Sequence, residues 1–341
     1  MEVTKYSDIV KRVCALSQRV YSELSNDDND LIMVYVDQRM KLIWEYFDWP
    51  ELKRVEKRYY RALYASGTQY NPGTEVYYPT ENKYYQALQQ TTGNAPTSAA
   101  HWYESKKSYS ADPWQAGASY VAGDIVEYAS DGLTYACHTA HTSSGTLIPT
   151  ATGGNSRWGL LKEFDQYVGW EQTGENKIGD IIEVWNNNPR TNNKAVPVSY
   201  YQSENGIQLI EGPNVVYVEY RKRLPMLLYK TWTTGAGYVS DDVVRYEPSG
   251  AEFDLYVANS AHSADSDNDP EESGGPWSKI EIPRDFSAFL SHGAAANLLQ
   301  VDEKEQLALA QEQYADQALT ELVGRIERQE QQTKQFKVLH R

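Results

Sequence analysis

The sequence predicts an α+β protein, helical at both ends and β-rich between them. Three observations lead there. Apolar residues recur at three- and four-residue steps in 8–47 and again in 286–326, the period of an amphipathic helix. Between those ends, Val216, Val218 and Tyr220, or Ile207 and Leu209, alternate with other residues at the period of a half-buried strand. One aromatic pattern also recurs three times in the middle of the chain, with a fixed spacing from its first ring to a valine.

The elements follow in order. Ile9, Val10, Val13, Leu16, Val20 and Leu24 predict a helix over 8–24, with Ser7 as its N-cap. SNDDND, residues 25–30, reads as a break. From Asp30 a second helix carries Ile32, Tyr35, Val36, Arg39, Met40, Ile43 and Phe47, and it ends near Trp49-Pro50 because a residue before proline disfavours the α region. Residues 178–225 predict a small antiparallel sheet, with turns at Asn205-Gly206 and Gly212-Pro213-Asn214. Pro283 fits a helix start. Phe286, Phe289, Leu290, Gly293, Ala294, Asn297, Leu298 and Val301 form one stripe; Leu307, Tyr314, Ala318, Leu319, Leu322, Val323 and Ile326 form the next. The patch Gly293–Ala296 suits close helix approach. From about Val323 the chain turns polar, Gln-rich and locally basic, and reads as an arm that orders on a partner.

The composition narrows the function classes. With 341 residues there is room for two or three domains. Tyr (27) and Trp (9) far outnumber Phe (6), a bias that suits thin β modules and wide interfaces rather than one large oily core. A net charge of -15 argues against gripping duplex DNA, which depends on Lys and Arg displacing counterions, but suits a protein past which DNA slides. No run approaches the roughly eighteen apolar residues of a membrane span, so no membrane partner is expected. The N-terminus MEVTKYSDIVKRV lacks a signal-peptide core. Cys14 and Cys137 are too few for a disulfide framework, which points to synthesis in a reducing cytoplasm.

The first repeat starts at Tyr64, with Gly67, Tyr70, Val76, Tyr78, Tyr85 and Trp102. The second starts at Trp114, with Gly117, Tyr120, Val126, Tyr128, Tyr135 and Trp158. The third starts at Trp232, with Gly235, Tyr238, Val244, Tyr246, Phe253 or Tyr256, and Trp277. The rings read as a mini-core for strands too thin to bury much aliphatic surface, and Gly67, Gly117 and Gly235 as turn residues. All three copies resemble the carbohydrate-binding modules of bacterial chitinases over about fifty residues each. Those modules grip sugar with adjacent exposed aromatics after the strand that holds the third ring. Here the corresponding segments are Gln86–Gln90, Ala136–Ala140 and Val257–Ala261, and they contain no Trp pair.

Other constellations carry little chemistry. Cys137, His138 and His141 lack a common zinc spacing and a fourth ligand. Asp265–Asp269 is similar to a calcium loop, but Pro270 stands where an EF-hand needs Gly. The chain has no phosphate-binding glycine loop, GxSxG or HExxH. His101, His138, His141, His262, His292 and His340 are scattered. No catalytic group, cofactor or metal is expected, although abundant carboxylates leave a two-acid glycosidase open.

Outside the repeats, Met40–Leu52 resembles the second-helix signature of tailed-phage head–tail adaptor proteins, which sit beneath the portal. Ile182–Arg190 and Val216–Pro225 resemble their central strands, and His292–Ala310 their third long helix. The motifs come in the same order, and together they cover about half of the chain. The resemblance implies an adaptor-like helical bundle with a small antiparallel sheet. It implies a virion neck location and a homo-oligomeric ring, commonly of twelve copies. Its partners would be the portal protein above and the next tail or nozzle protein below, with double-stranded DNA passing unbound through the lumen. It also implies a C-terminal arm docking into portal clefts, here carried by Arg325, Arg328, Lys334, Lys337 and Arg341. The expected divisions are N-terminal helices 1–60, β module 1 at 61–108, β module 2 at 109–163, β core 164–228, β module 3 at 229–282, C-terminal helices 283–322 and arm 323–341. On this reading the modules are decorations inserted into loops; the alternative is a carbohydrate-binding protein that uses them.

Overall fold

The computed structural model describes residues 2–169, 178–203, 206–248, 252–265, 268–272 and 274–338, with side chains through residue 329. The chain forms two compact units, Met1–Arg54 with Gln172–Asp180 and Tyr220–Arg341, and Val55–Glu171 with Ile181–Glu219. Each mixes helix or irregular chain with several small sheets, an α+β architecture.

In the first unit the described residues form four α-helices: α1 (Tyr6–Ser17), α2 (Asn26–Tyr46), α3 (Ser287–Val301) and α4 (Glu305–Val338). They share one core, with Ile9 and Val13 from α1, Val36 and Met40 from α2, Leu290 and Leu298 from α3, and Leu319 and Ile326 from α4. Helix α3 packs against the other three. Its small residues make that possible. At Gly293 a Cβ would stand 2.7 Å from Arg39 Cδ, so the Arg39 side chain crosses α3 only because glycine is there. The guanidinium then donates to both Glu312 carboxylate oxygens, at 2.7 and 2.6 Å, and to Asn297 Oδ1 at 2.7 Å.

The helix boundaries differ from those expected. Helix α1 starts earlier, with Ser7 buried inside it, and the Tyr6 N–H donates to Asp254 Oδ1 at 3.2 Å. It stops at Ser17, where Gln18 turns left-handed (φ 63), so Val20 and Leu24 leave the stripe. SNDDND starts a helix instead of breaking one. Ser25 and Asp28 form a capping box, and the acidic first turn favours the positive end of the helix dipole. Pro283 lies in a two-residue strand paired with Val3, and α3 begins at Ser287. Val301, Leu307 and Tyr314 are exposed, so the C-terminal stripes are narrower than read. The backbone of the predicted arm continues α4 unbroken to Val338, and Val323 and Ile326 pack on the core. Gln, Glu, Lys and Arg are good helix formers, and extending a nucleated helix costs little.

Module 3 belongs to this unit and is part of its core. Strands Val243–Tyr246, Asp254–Ala258 and Trp277–Lys279 are antiparallel, and Lys230–Thr231 runs parallel along Val243–Tyr246. Alternation gives the sheet two faces. Val243, Leu255 and Ile280 enter the helical core, while Val244, Tyr256 and Ala258 face the aromatic cluster. Val243, Phe253, Leu255, Ile280 and Ile282 of this module are built into the helical core, so module 3 is not the appended loop decoration that was expected.

The second unit holds modules 1 and 2 and a three-stranded antiparallel sheet, Tyr167–Gly169, Gly206–Leu209 and Tyr200–Ser203 in spatial order. A further sheet, Ile178–Trp185, Val216–Lys222 and Lys53–Arg58 in spatial order, has each of its strands divided between the two units, and Lys53–Arg58 falls where the sequence predicts the N-terminal helices. The single β core expected over 164–228 is therefore two sheets. Asn205 lies outside the described residues. The Gly212–Asn214 turn is tied down: Tyr60 Oη donates to Pro213 O at 2.7 Å and Tyr84 Oη to Asn214 O at 2.6 Å. Modules 1 and 2 join through Leu88, Ala136 and Leu161, all buried. The buried Gln86 amide reinforces the joint, donating to Leu160 O and accepting from Lys162 N at 3.0 Å.

Candidate functional site

The three modules share one construction. Val76 pairs with Tyr85, Val126 with Tyr135 and Val244 with Tyr256; Ala87 then pairs with Trp102, Cys137 with Trp158 and Ala258 with Trp277. The register settles the open choice in the third copy. Tyr256 takes the ring position, and Phe253 belongs to the helical core.

The structure brings the repeated rings together in three separate clusters. Tyr64, Tyr70, Tyr85 and Trp102 form the first, Trp114, Tyr120, Tyr135 and Trp158 the second, and Trp232, Tyr238, Tyr256 and Trp277 the third. Packing is largely edge-to-face, the arrangement that ring quadrupoles favour: Tyr70–Trp102 at 5.3 Å, Tyr120–Trp158 at 4.9 Å and Tyr238–Trp277 at 5.1 Å. Gly117 and Gly235 both take φ 81, which suits glycine; Gly67 does not enter that region.

Most polar edges of these rings are spent inside each module; the buried indole N–H groups of Trp114 and Trp232 have no hydrogen-bond partner. The hydroxyls of Tyr70, Tyr120 and Tyr238 accept the N–H of Ala65, Gln115 and Thr233 at 2.7, 2.9 and 2.9 Å. The indoles of Trp102, Trp158 and Trp277 donate to Asn94, Leu147 and Asn268 carbonyls. Tyr135 donates to Asp131 at 2.7 Å, and burial together with that carboxylate pushes its pKa up to about 12. Rings bonded in this way turn their polar atoms inward, and none of the twelve is fully exposed.

The sequence singled out Cys137, His138 and His141. Cys137 Sγ lies 3.7 Å from His141 Nδ1, while His138 Nδ1 faces Thr139 Oγ1 at 2.9 Å. Burial, then the Arg157 charge, lowers the His138 pKa to about 4; burial raises the Cys137 thiol. Among the described residues no three His, Cys, Asp or Glu side chains are placed to hold a metal ion. Of the acidic loop, Ser266 and Asp267 lie outside the described residues. No described helix is long and apolar enough to cross a membrane.

On the arm, Arg325 pairs with Asp285 at 2.6 Å and Arg328 is exposed beside Gly324. The backbone at Lys334 and Lys337 is helical; their side chains and Arg341 lie outside the described residues.

A family model for carbohydrate-binding module family 5/12 matches residues 113–151, within module 2. No curated protein matches the chain. Among the described residues of that matched segment no aromatic ring is exposed: Trp114, Tyr120 and Tyr128 are half-buried and Tyr135 is buried. The chain thus carries a module similar to that family, with its rings turned into its own core.

Proposed function

We propose that the chain is a structural virion protein, a head-to-tail adaptor that joins a ring between the portal and tail of a phage and lets DNA pass. The observation that carries this reading is the meeting of α1 and α2 with α3 and α4, more than two hundred residues away in sequence, in a single core. The segments that resemble adaptor proteins lie on that framework: Met40–Leu52 ends α2, and His292–Ala310 spans α3 and the start of α4. The acidic surface of the ring lumen would repel DNA phosphates and keep the genome from sticking. The continuation of α4 beyond Ile326, with its basic side chains, is the portal-docking element.

Mixing the chain with the portal protein of the same particle tests this reading. A ring on the portal by electron microscopy supports it. A chain truncated after Gln329 keeps Leu319, Leu322 and Ile326 in the core and should fold yet lose portal binding. A full-length chain that never joins the portal contradicts the adaptor role. The match at residues 113–151 favours a second reading, a carbohydrate-binding protein. Retention of the chain on insoluble chitin, with no portal binding, would support it.

A further inference from the structure

The flat aromatic surface that the three modules lack occurs elsewhere in the second unit. In the sheet Tyr167–Gly169, Gly206–Leu209 and Tyr200–Ser203, Tyr167 pairs with Gln208 and Gln208 with Tyr201. Directly paired residues share a face, so the two tyrosines flank Gln208 in one row. The next row on that face is Gly169, Gly206 and Ser203. The opposite face is the buried one, with Val168, Ile207 and Leu209 nearly inaccessible.

Tyr167 does not stand off the sheet. A Cβ at Gly206 would lie 2.6 Å from both Tyr167 Cζ and Oη, so the ring lies down across the glycine. Tyr201 is 67% exposed, among the most exposed large apolar side chains described. Ile210, two residues beyond Gln208 and 49% exposed, extends the face. Two strand spacings separate the tyrosine backbones by roughly 10 Å. The Tyr167 ring leans over Gly206 toward the middle strand, so the rings are offset from that backbone spacing, and an extended chain of linked sugars crossing the strands would meet both.

We infer that this face is a stacking platform for a neutral β-1,4-linked glycan. Tyr201 and Tyr167 take the sugar faces, and the Gln208 amide between them takes hydroxyls or an acetamido group. The charge pattern selects the ligand class. The row of Tyr167, Gln208 and Tyr201 and the next row of Gly169, Gly206 and Ser203 carry no charge, and the one charge on this face at the Ile210 end, the exposed Asp165 two residues before Tyr167, is negative. A phosphate-bearing strand would need cations, and Lys107, which reaches this edge, already donates to Ile210 O at 3.0 Å. The inference rests on neither the adaptor reading nor binding by the modules.

The test is affinity electrophoresis of the full chain through native gels containing glycol chitin or hydroxyethylcellulose. The wild type is expected to be retarded. Tyr201→Ala, at an exposed position, should lose at least tenfold in apparent affinity with an unchanged circular dichroism spectrum. Tyr201→Trp should keep or strengthen the retardation, and Leu133→Ser, on the surface of module 2, should leave it unchanged. Absence of retardation of the wild type by either polymer overturns the inference. So does equal retardation of Tyr201→Ala, which would move binding to the modules. Retardation by poly(dT) but not by the glycans also overturns it and makes the platform a nucleobase site.

Discussion

Gly159 of module 2 lies against the backbone of Leu88 of module 1, so closely that a Cβ on Gly159 would stand 2.7 Å from Leu88 Cα and Leu88 O. Both are backbone atoms just past the strand that ends at Ala87, and Leu88 also anchors the buried joint between the two modules. Gly159→Ala should therefore cost about 2 kcal/mol or more in urea unfolding of the second unit. Gly145→Ala, with open space around it, should stay within about 0.5 kcal/mol.

Arg39 ties α2 to α3 and α4. Arg39→Met removes the guanidinium but leaves Glu312 partly in water, which softens the loss to about 2 kcal/mol, below that of a fully buried pair. Gly293→Ala should displace the same guanidinium, since its Cβ would meet Arg39 Cδ and Nε. The two losses should not add in a double-mutant cycle; additive values would separate the glycine from the ion pair.

Trp277 closes the aromatic cluster of module 3, whose sheet also forms part of the helical core. Trp277→Ala should cost about 3–5 kcal/mol and lower the transition of α1–α4 with that of the module. Retained helical ellipticity after module 3 has melted would show that the module is an independent appendage.

His138 makes the second unit sensitive to acid. Its folded pKa is near 4, whereas an unperturbed histidine titrates near about 6.5. Between those values the unfolded chain binds the extra proton, so stability falls as pH drops through that window and is fully present above it. The loss should be on the order of 2 kcal/mol between pH 7 and pH 4. Equilibrium unfolding at pH 7, 5.5 and 4 measures it, and His138→Gln should flatten that part of the profile.

The sequence made legible whatever rests on local period and spacing. The stripes of α1–α4 were readable because one helical face is buried, and the module pairings because ring positions repeat at fixed registers. The capping of α2 is masked by the polarity of Ser25–Asp30, although Ser25 with Asp28 three residues later is the capping-box spacing. The Lys53–Arg58 strand has five charged residues and no clear alternation; its partner, Val216–Lys222, lies far along the chain. The core role of module 3 was hidden because Val243 and Leu255 leave the aromatic pattern, and only pairing shows that they share a second face. Tyr167 and Tyr201 were invisible as a pair because registry across Gln208 brings them together.

The central claim, that this chain is a neck component of a phage particle, is tested most directly by immunogold electron microscopy of intact virions from the source lysate, with an antibody against this chain. Label confined to the neck between capsid and tail is the predicted result. Unlabelled particles, with the antigen free in the medium, would contradict it.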